Sequence, residues 1–191
     1  MGKHGTFLKR LTDIIVSALV LLISSPVIII SVVAIRLESK GAAFFLQDRT
    51  GLGRKTFKLV KLRGMVQDAE QLGSSFTEVD DPRLTRVGKL LRRLSIDEIP
   101  NFINVLKGEM SVVGPRPDVP EVTDLLPDDL ASVFKFKPGV TGIAQINGRQ
   151  TLTFEERSRI DVEYYPNATF FSDLKIIFRT PLVIISNKGN I

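Results

Sequence analysis

The 191 residues contain no cysteine and no tryptophan, and only one histidine, His4. Without cysteine there are no disulfides, no zinc–thiolate sites and no thiol nucleophile. His4 lies in a polar N-terminal tail, and chain ends are weakly ordered unless tied down. Neither a histidine general base nor a His-rich metal site is therefore expected. Any catalysis falls to carboxylates, Lys and Arg, hydroxyls, or an oxygen-ligated ion such as Mg²⁺. Acidic residues are scarce at one end. Residues 1–63 carry 11 Lys/Arg against 3 Asp/Glu, whereas the remainder carries 15 against 18. A basic end beside an apolar run points to an anionic membrane surface. Nucleic acid is not an expected partner, because no binding motif is recognisable and the C-terminal two thirds is net acidic.

The length suits one ordinary domain plus an appendage. That appendage is the run Ile14–Ile35, 22 residues without a charge. As a straight helix it would span roughly 33 Å, about one bilayer core. It is too long for a signal peptide, and no A-x-A-like cleavage site follows. Lys3, Lys9 and Arg10 precede it, and Arg36 and Lys40 follow, so the positive-inside rule draws both ends toward the cytoplasm. At its centre stand Ser24, Ser25 and Pro26. Proline removes a backbone donor and clashes with the preceding turn, which predicts a kink. The two serine hydroxyls can bond the freed carbonyls. Local physics leaves two topologies open: a kinked span, and a re-entrant helix that returns to the face it entered.

Residues 43–63 read as a hairpin around the Gly-punctuated "GLGRK", which lacks the Walker spacing of a phosphate loop. Residues 66–81 read as a loop or short helix. "LTRVGKLLRRL" (84–94) places Val87, Leu90, Leu91 and Leu94 on one helical face. A second helix follows, with Ile99, Phe102, Ile103 and Leu106 as its apolar face and Gly108 as its stop. "MSVVGPRP" predicts a short strand entering a proline-stiffened loop. Residues 118–134 predict a helix broken at Pro127, and "KFKPGVTGIAQINGR" predicts a turn, a short strand and a Gly-Arg loop. "DLKIIFRTPLVII" suits either an interfacial helix or a C-terminal core helix.

Asp97 and Glu98 are adjacent carboxylates at an expected helix start. Ser95 to Glu98 fits a capping box, although that register puts Pro100 at the fifth helical position, and a start at Asp97 places it in the tolerated first turn. Consecutive helical side chains point about 100° apart, so the two carboxylates can divide labour. An ionised Asp can attack phosphorus, given Mg²⁺ and arginines to neutralise the phosphates. Arg92, Arg93, Arg116 and Arg149 are the candidates, and Pro115 and Pro117 stiffen the backbone at Arg116. The competing reading is a non-catalytic, basic membrane-surface module in which the dyad only caps a helix.

These stretches resemble one family, the monotopic phosphoglycosyl transferases, also called the bacterial sugar transferase family. The likeness rests on "SIDEIPNFINVLKGEMSVVGPRP" (95–117), "KPGVTGIAQINGR" (137–149), "KLVKLRGM" (58–65) and the N-terminal "LKRLTDIIVSALVLLISSPVIII". It runs through nearly the whole chain in order. The resemblance implies transfer of a sugar-1-phosphate from a UDP-sugar to undecaprenyl phosphate with release of UMP. It implies a covalent phosphosugar on Asp97, Glu98 as its partner, and Mg²⁺ at both. It places Lys61, Arg63, Arg92, Pro115, Arg116, Pro117 and Arg149 among the substrate-binding residues, and the helix break at Ser25-Pro26. The fold it implies is α+β. Residues 1–40 would form a re-entrant membrane helix-break-helix. Residues 41–191 would form a small, mostly helical catalytic domain with a short β-hairpin and interfacial amphipathic helices, at the cytoplasmic face of the bacterial inner membrane. Glu109, Gly64 and the Phe170-Phe171 pair depart from the usual family residues, and none touches the implied chemistry. The chain resembles the short catalytic form, without the extra transmembrane region of longer members.

Overall fold

Helix α1 (Thr6–Glu38) occupies 33 residues, a length of about 50 Å. The computed structural model describes residues 6–72, 81–148 and 152–185. Pro26 sits inside α1, at the expected break, and the chain stays helical on both sides of it. The reason is local. Pro26 deprives the Leu22 carbonyl of its donor, and the Ser25 hydroxyl donates to that same carbonyl at 2.8 Å. The serine before the proline replaces the missing bond.

Both ends of α1 are tied to the rest of the chain. Near its start, Arg10 donates to the Val105 and Leu106 carbonyls at 2.6 and 2.7 Å. Lys9 donates to the Val113 carbonyl and to Asp173, at 3.0 and 2.7 Å. Asp13 accepts from the Ser111 hydroxyl and the Val112 N–H, at 2.9 and 2.8 Å. Near its end, Ile35 packs with Ala43, Leu62 and Leu91, and Glu38 accepts from the N–H groups of Arg86 and Val87, at 2.7 and 2.9 Å. Between these anchors Leu22, Ile23, Ile29 and Ile30 stand exposed, Leu22 and Ile23 at 71% and 74%.

The hairpin forms as the sequence predicts. Strands β1 (Phe44–Thr50) and β2 (Thr56–Leu62) pair antiparallel from Phe44↔Leu62 to Thr50↔Thr56. The left-handed Gly53 makes the turn, at φ 65°. Helix α2 (Arg86–Arg93) is capped by Thr85, whose hydroxyl accepts from the Gly88 N–H at 2.9 Å. Gly88 is pressed onto β2's exit, since a Cβ there would fall 1.9 Å from the Gly64 carbonyl oxygen. Val87 and Leu91 pack toward α1, while Leu90 and Leu94 are exposed.

Helix α3 (Asn101–Lys107) ends at Gly108, φ 86°. Its fully buried residues are Asn101, Asn104 and Val105; of the expected stripe Ile99, Phe102, Ile103 and Leu106, Phe102 packs partly buried against the core and Leu106 is exposed. Asn104 is fully buried because it is fully bonded. It accepts from the Val60 N–H at 3.0 Å and donates to the Lys58 carbonyl and Glu109, both at 2.7 Å. That residue stitches α3 to β2. Strand β3 (Ser111–Val113) then pairs parallel with β4 (Gly139–Thr141). The connection runs through α4 (Pro120–Thr123) and a 3-10 stretch, Asp128–Lys135, interrupted at Pro127 as expected. Helices α5 (Ile143–Asn147), α6 (Phe154–Tyr164) and α7 (Phe170–Ile185) complete the chain. The principal core gathers Leu59, Val105, Met110, Val112, Val113, Ile146 and Ile176 beneath this frame. Helix α7 buries Ile176 and exposes Phe171, Phe178 and Leu182.

Candidate active site

The dyad sits between α2 and α3, and its local structure differs from the expected helix start. Ser95 adopts the left-handed conformation, φ 56°, and makes no side-chain cap. Ile96–Glu98 form a 3-10 turn, and Pro100, which has no N–H, opens α3. The capping box predicted at Ser95 is therefore absent. One exists instead at Thr153 and Glu156, where α6 begins. In a 3-10 turn adjacent side chains diverge by about 120°, so the two carboxylates still enter different surroundings.

Those surroundings treat them oppositely. Asp97 is 8% exposed, and its side chain makes no hydrogen bond among the described residues. Burial, and then the neighbouring Glu98 charge, push its pKa upward, against the pull of Lys61, Arg92 and Arg116. For Glu98 burial acts in the same direction but is overcome. Arg116 and Lys61 hold its pKa well below the usual carboxylate range. Arg116 grips it with both terminal nitrogens, Nη2 to Oε1 at 2.5 Å and Nη1 to Oε2 at 3.2 Å. Lys61, from β2, donates to Oε1 at 3.3 Å. Burial lowers the Lys61 pKa, while Glu98 raises that of Arg116.

The loop carrying Arg116 is built for a fixed position. The Gly114 N–H donates to the Thr141 carbonyl at 2.9 Å, and the Gly139 N–H to the Pro115 carbonyl at 2.8 Å. A Cβ on Gly114 would fall 2.2 Å from the Lys137 carbonyl oxygen, so only glycine permits this approach. At its far end the loop meets three charged residues that the sequence did not single out. Asp118 accepts from Arg49 of β1 and Arg157 of α6, each at 3.0 Å. Burial depresses the Arg49 pKa, and Asp118 opposes that shift. Arg49 lies 69 residues from Asp118 in the chain, and no local pattern announces their pairing.

The other expected residues fall in several places. Arg92 lies in the last turn of α2 and acts on Asp97 through its charge. Arg63 is committed elsewhere: its guanidinium donates to the Lys40 and Ser39 carbonyls at 2.7 and 3.0 Å, closing the end of α1. Pro115 and Pro117 flank Arg116 in the pinned loop, whereas Ser25 and Pro26 sit in the apolar middle of α1. Arg149 and His4 lie outside the described residues. Behind the loop, a narrow cleft is lined by Phe134, Phe136, Phe154, Arg157 and Asp161. Asp161 is 3% exposed with Oδ1 unpartnered, and burial lifts its pKa to about 7.

Lys61, Arg92, Arg116, Arg49 and Arg157 together outnumber Asp97, Glu98 and Asp118. A partly buried site with surplus positive charge suits a phosphate-bearing ligand. The dyad also fits a hard divalent cation. Asp97 is unbonded, and Glu98 Oε2, with a single contact from Arg116, keeps a lone pair to offer. No cluster of three or more acidic or histidine ligands exists among the described residues. Two carboxylates, with water and substrate phosphates filling the rest, is the usual habit of Mg²⁺.

A family model for bacterial sugar transferases matches residues 4–187. The chain is 40% identical over 182 residues to the uncharacterized sugar transferase EpsL of Bacillus subtilis, covering 95% of this chain and 89% of that protein. It is 41% identical to the UDP-glucose:undecaprenyl-phosphate glucose-1-phosphate transferase of Escherichia coli, covering 95% of this chain and 41% of that protein. It is 37% identical to the UDP-N-acetylgalactosamine-undecaprenyl-phosphate N-acetylgalactosaminephosphotransferase of Aeromonas hydrophila, covering 96% of this chain and 45% of that protein. The chain thus spans most of the first and less than half of the other two. With the match running through the dyad, the pinned loop and the long apolar helix alike, the chain belongs to the bacterial sugar transferase family.

Proposed function

We propose that this protein transfers a sugar-1-phosphate from a UDP-sugar to undecaprenyl phosphate, releasing UMP, as a membrane step of polysaccharide or glycoconjugate assembly. The observation that carries the reading is the split dyad, with Asp97 unbonded and Glu98 clamped by Arg116 and Lys61. In its ionised form, an Asp97 oxygen attacks the phosphorus that bears the sugar. The bond from that phosphorus to the bridging oxygen breaks, and UMP leaves with the oxygen. The product is a mixed anhydride of Asp97 and the sugar phosphate. A phosphate oxygen of the lipid then attacks the same phosphorus, the bond to Asp97 breaks, and the carboxylate is restored. Arg116 and Lys61 neutralise the diphosphate, and Glu98 keeps both cations in place. Mg²⁺ held by Asp97 and Glu98 would add Lewis-acid charge at the phosphoryl oxygens.

Helix α1 supports a position for the site at the membrane surface. Both of its ends bond to one folded unit, Arg10 at the end of α3 and Glu38 at the start of α2. This favours a helix whose ends lie on the same side of the membrane, with the exposed middle from Leu19 to Ile30 in a single leaflet. The exposed Phe171, Phe178 and Leu182 of α7 extend the apolar surface. Such a re-entrant anchor would hold the dyad at the cytoplasmic face of the inner membrane, where a soluble nucleotide sugar meets a lipid phosphate. The test is UMP release by detergent-purified protein from a panel of UDP-sugars, with Mg²⁺ and undecaprenyl phosphate. Release with at least one sugar, lost without lipid after a single turnover, is expected. No release with any sugar overturns the proposal.

A further inference from the structure

Asp118 stands at the convergence of three elements and makes no contact with the dyad itself. Its Oδ1 accepts from Arg49 of β1 at 3.0 Å and from the Val119 N–H at 3.1 Å. Its Oδ2 accepts from Arg157 of α6 at 3.0 Å. Its own carbonyl accepts the Thr50 N–H at 2.9 Å, and Arg49 also reaches the neighbouring Pro117 carbonyl at 3.2 Å. The side chains of Arg49, Asp118 and Arg157 are 14%, 15% and 17% exposed, so these charges are only weakly screened by water. Two residues earlier in the same loop, Arg116 bonds Glu98 through both terminal nitrogens.

The carboxylate between Arg49 and Arg157 has a geometric and an electrostatic consequence. It fixes the loop from both sides, and only Pro117 separates it from Arg116. It also neutralises part of a cluster in which Arg49, Arg116 and Arg157 would otherwise repel one another around one short loop. Removing the charge leaves two half-buried guanidiniums short of a partner, and the backbone bearing Arg116 loses two of its ties.

We infer that Asp118 is a positioning residue: clamped between Arg49 and Arg157, it sets where Arg116 presents its guanidinium to Glu98 and to the donor's phosphates. This rests on the transferase reading above. A residue acting through Arg116 must affect the donor and spare the acceptor lipid, and its effect must disappear once Arg116 is gone. Those two signatures separate positioning from a merely structural contribution, which would lower thermal stability and alter both substrates alike.

The experiment is a double-mutant cycle on the full chain in detergent, with Asp118→Asn, Arg116→Ala and the double variant. KM for the UDP-sugar, KM for undecaprenyl phosphate, the Kd for UMP by titration, and the melting temperature are measured for each. Asp118→Asn is expected to raise the donor KM and the UMP Kd about tenfold with the lipid KM unchanged. Asp118→Glu should restore part of the loss, and in the Arg116→Ala background Asp118→Asn should add less than about twofold. Multiplying effects in the double variant, or equal changes in both KM values, would overturn the inference while leaving the transferase reading intact. Wild-type protein that neither binds UMP nor releases it from any UDP-sugar would remove both together.

Discussion

Around α1 the ionised side chains end mostly on neutral backbone, whereas around the dyad they end on one another. Arg10 caps two carbonyls, Glu38 takes two N–H groups, and Asp13 takes a hydroxyl and an N–H. Such contacts bind a charge to a dipole, and no ligand is needed to complete them. In the site, by contrast, Lys61 and Arg116 share Glu98, Arg49 and Arg157 share Asp118, and Asp97 has no side-chain partner among the described residues. Like charges crowd there, and only an arriving anion or cation balances them. The same residue types thus anchor a helix at one place and hold a substrate-ready field at another. What separates the two uses is whether each charge is already satisfied.

The largest expected effect lies in the unsatisfied region. Asp97→Asn should lower turnover by roughly 10³-fold or more, with the melting temperature unchanged, as seen by UMP release and thermal unfolding on the same preparation. Persisting turnover would reduce Asp97 to a bystander. Asp13→Ala should do the reverse. It strands the buried Ser111 hydroxyl and Val112 N–H, which costs about 2–4 kcal/mol of stability. The donor KM of the protein that remains folded should stay near wild type. A raised KM with unaltered stability would erase the distinction between the two regions.

The sequence announced the local features and hid the long-range ones. The apolar run, the hairpin, the adjacent carboxylates and the proline-stiffened loop are each contiguous, so hydropathy and turn chemistry reveal them. Even the Ser25 bond to Leu22 follows from the order Ser-Pro in a helix. The partners of Asp118 come from positions 49 and 157, and nothing local links them. The buried polar side of α3 is hidden from the sequence for a related reason. Asn104 reads as polar and outward until β2 is seen to supply its partners. Ser95 matches the capping pattern, yet its left-handed backbone makes no side-chain cap on the 3-10 turn that follows. Arg63 sits in a family-like motif, but its donors close the end of α1.

Asp161 offers a smaller test inside the site's rear wall. Burial raises its pKa to about 7 in the fold, against 3.8 for an ordinary carboxyl. Between those values the folded state keeps a proton that the unfolded state has released, so stability falls as pH rises through this window. Asp161→Asn removes that dependence. Its stability relative to wild type should grow between pH 6 and 7, by about 1 kcal/mol at most, measured by denaturant unfolding at each pH. A parallel pair of curves would place Asp161 in a wetter setting than its burial indicates. The smallest effect is expected at Glu38, which caps α2 from the end of α1. Glu38→Gln should cost about 0.5–1 kcal/mol and leave turnover unaltered. A loss of turnover there would mean that the anchor and the dyad are coupled.

The most direct measurement is the intact mass of the protein after incubation with UDP-sugar and Mg²⁺ in the absence of undecaprenyl phosphate. The wild type should gain the mass of one sugar phosphate, carried on the peptide containing Asp97 and discharged when the lipid is added, and Asp97→Asn should gain nothing. UMP release that strictly requires the lipid and never leaves an adduct, or an adduct that survives in Asp97→Asn, would contradict the account.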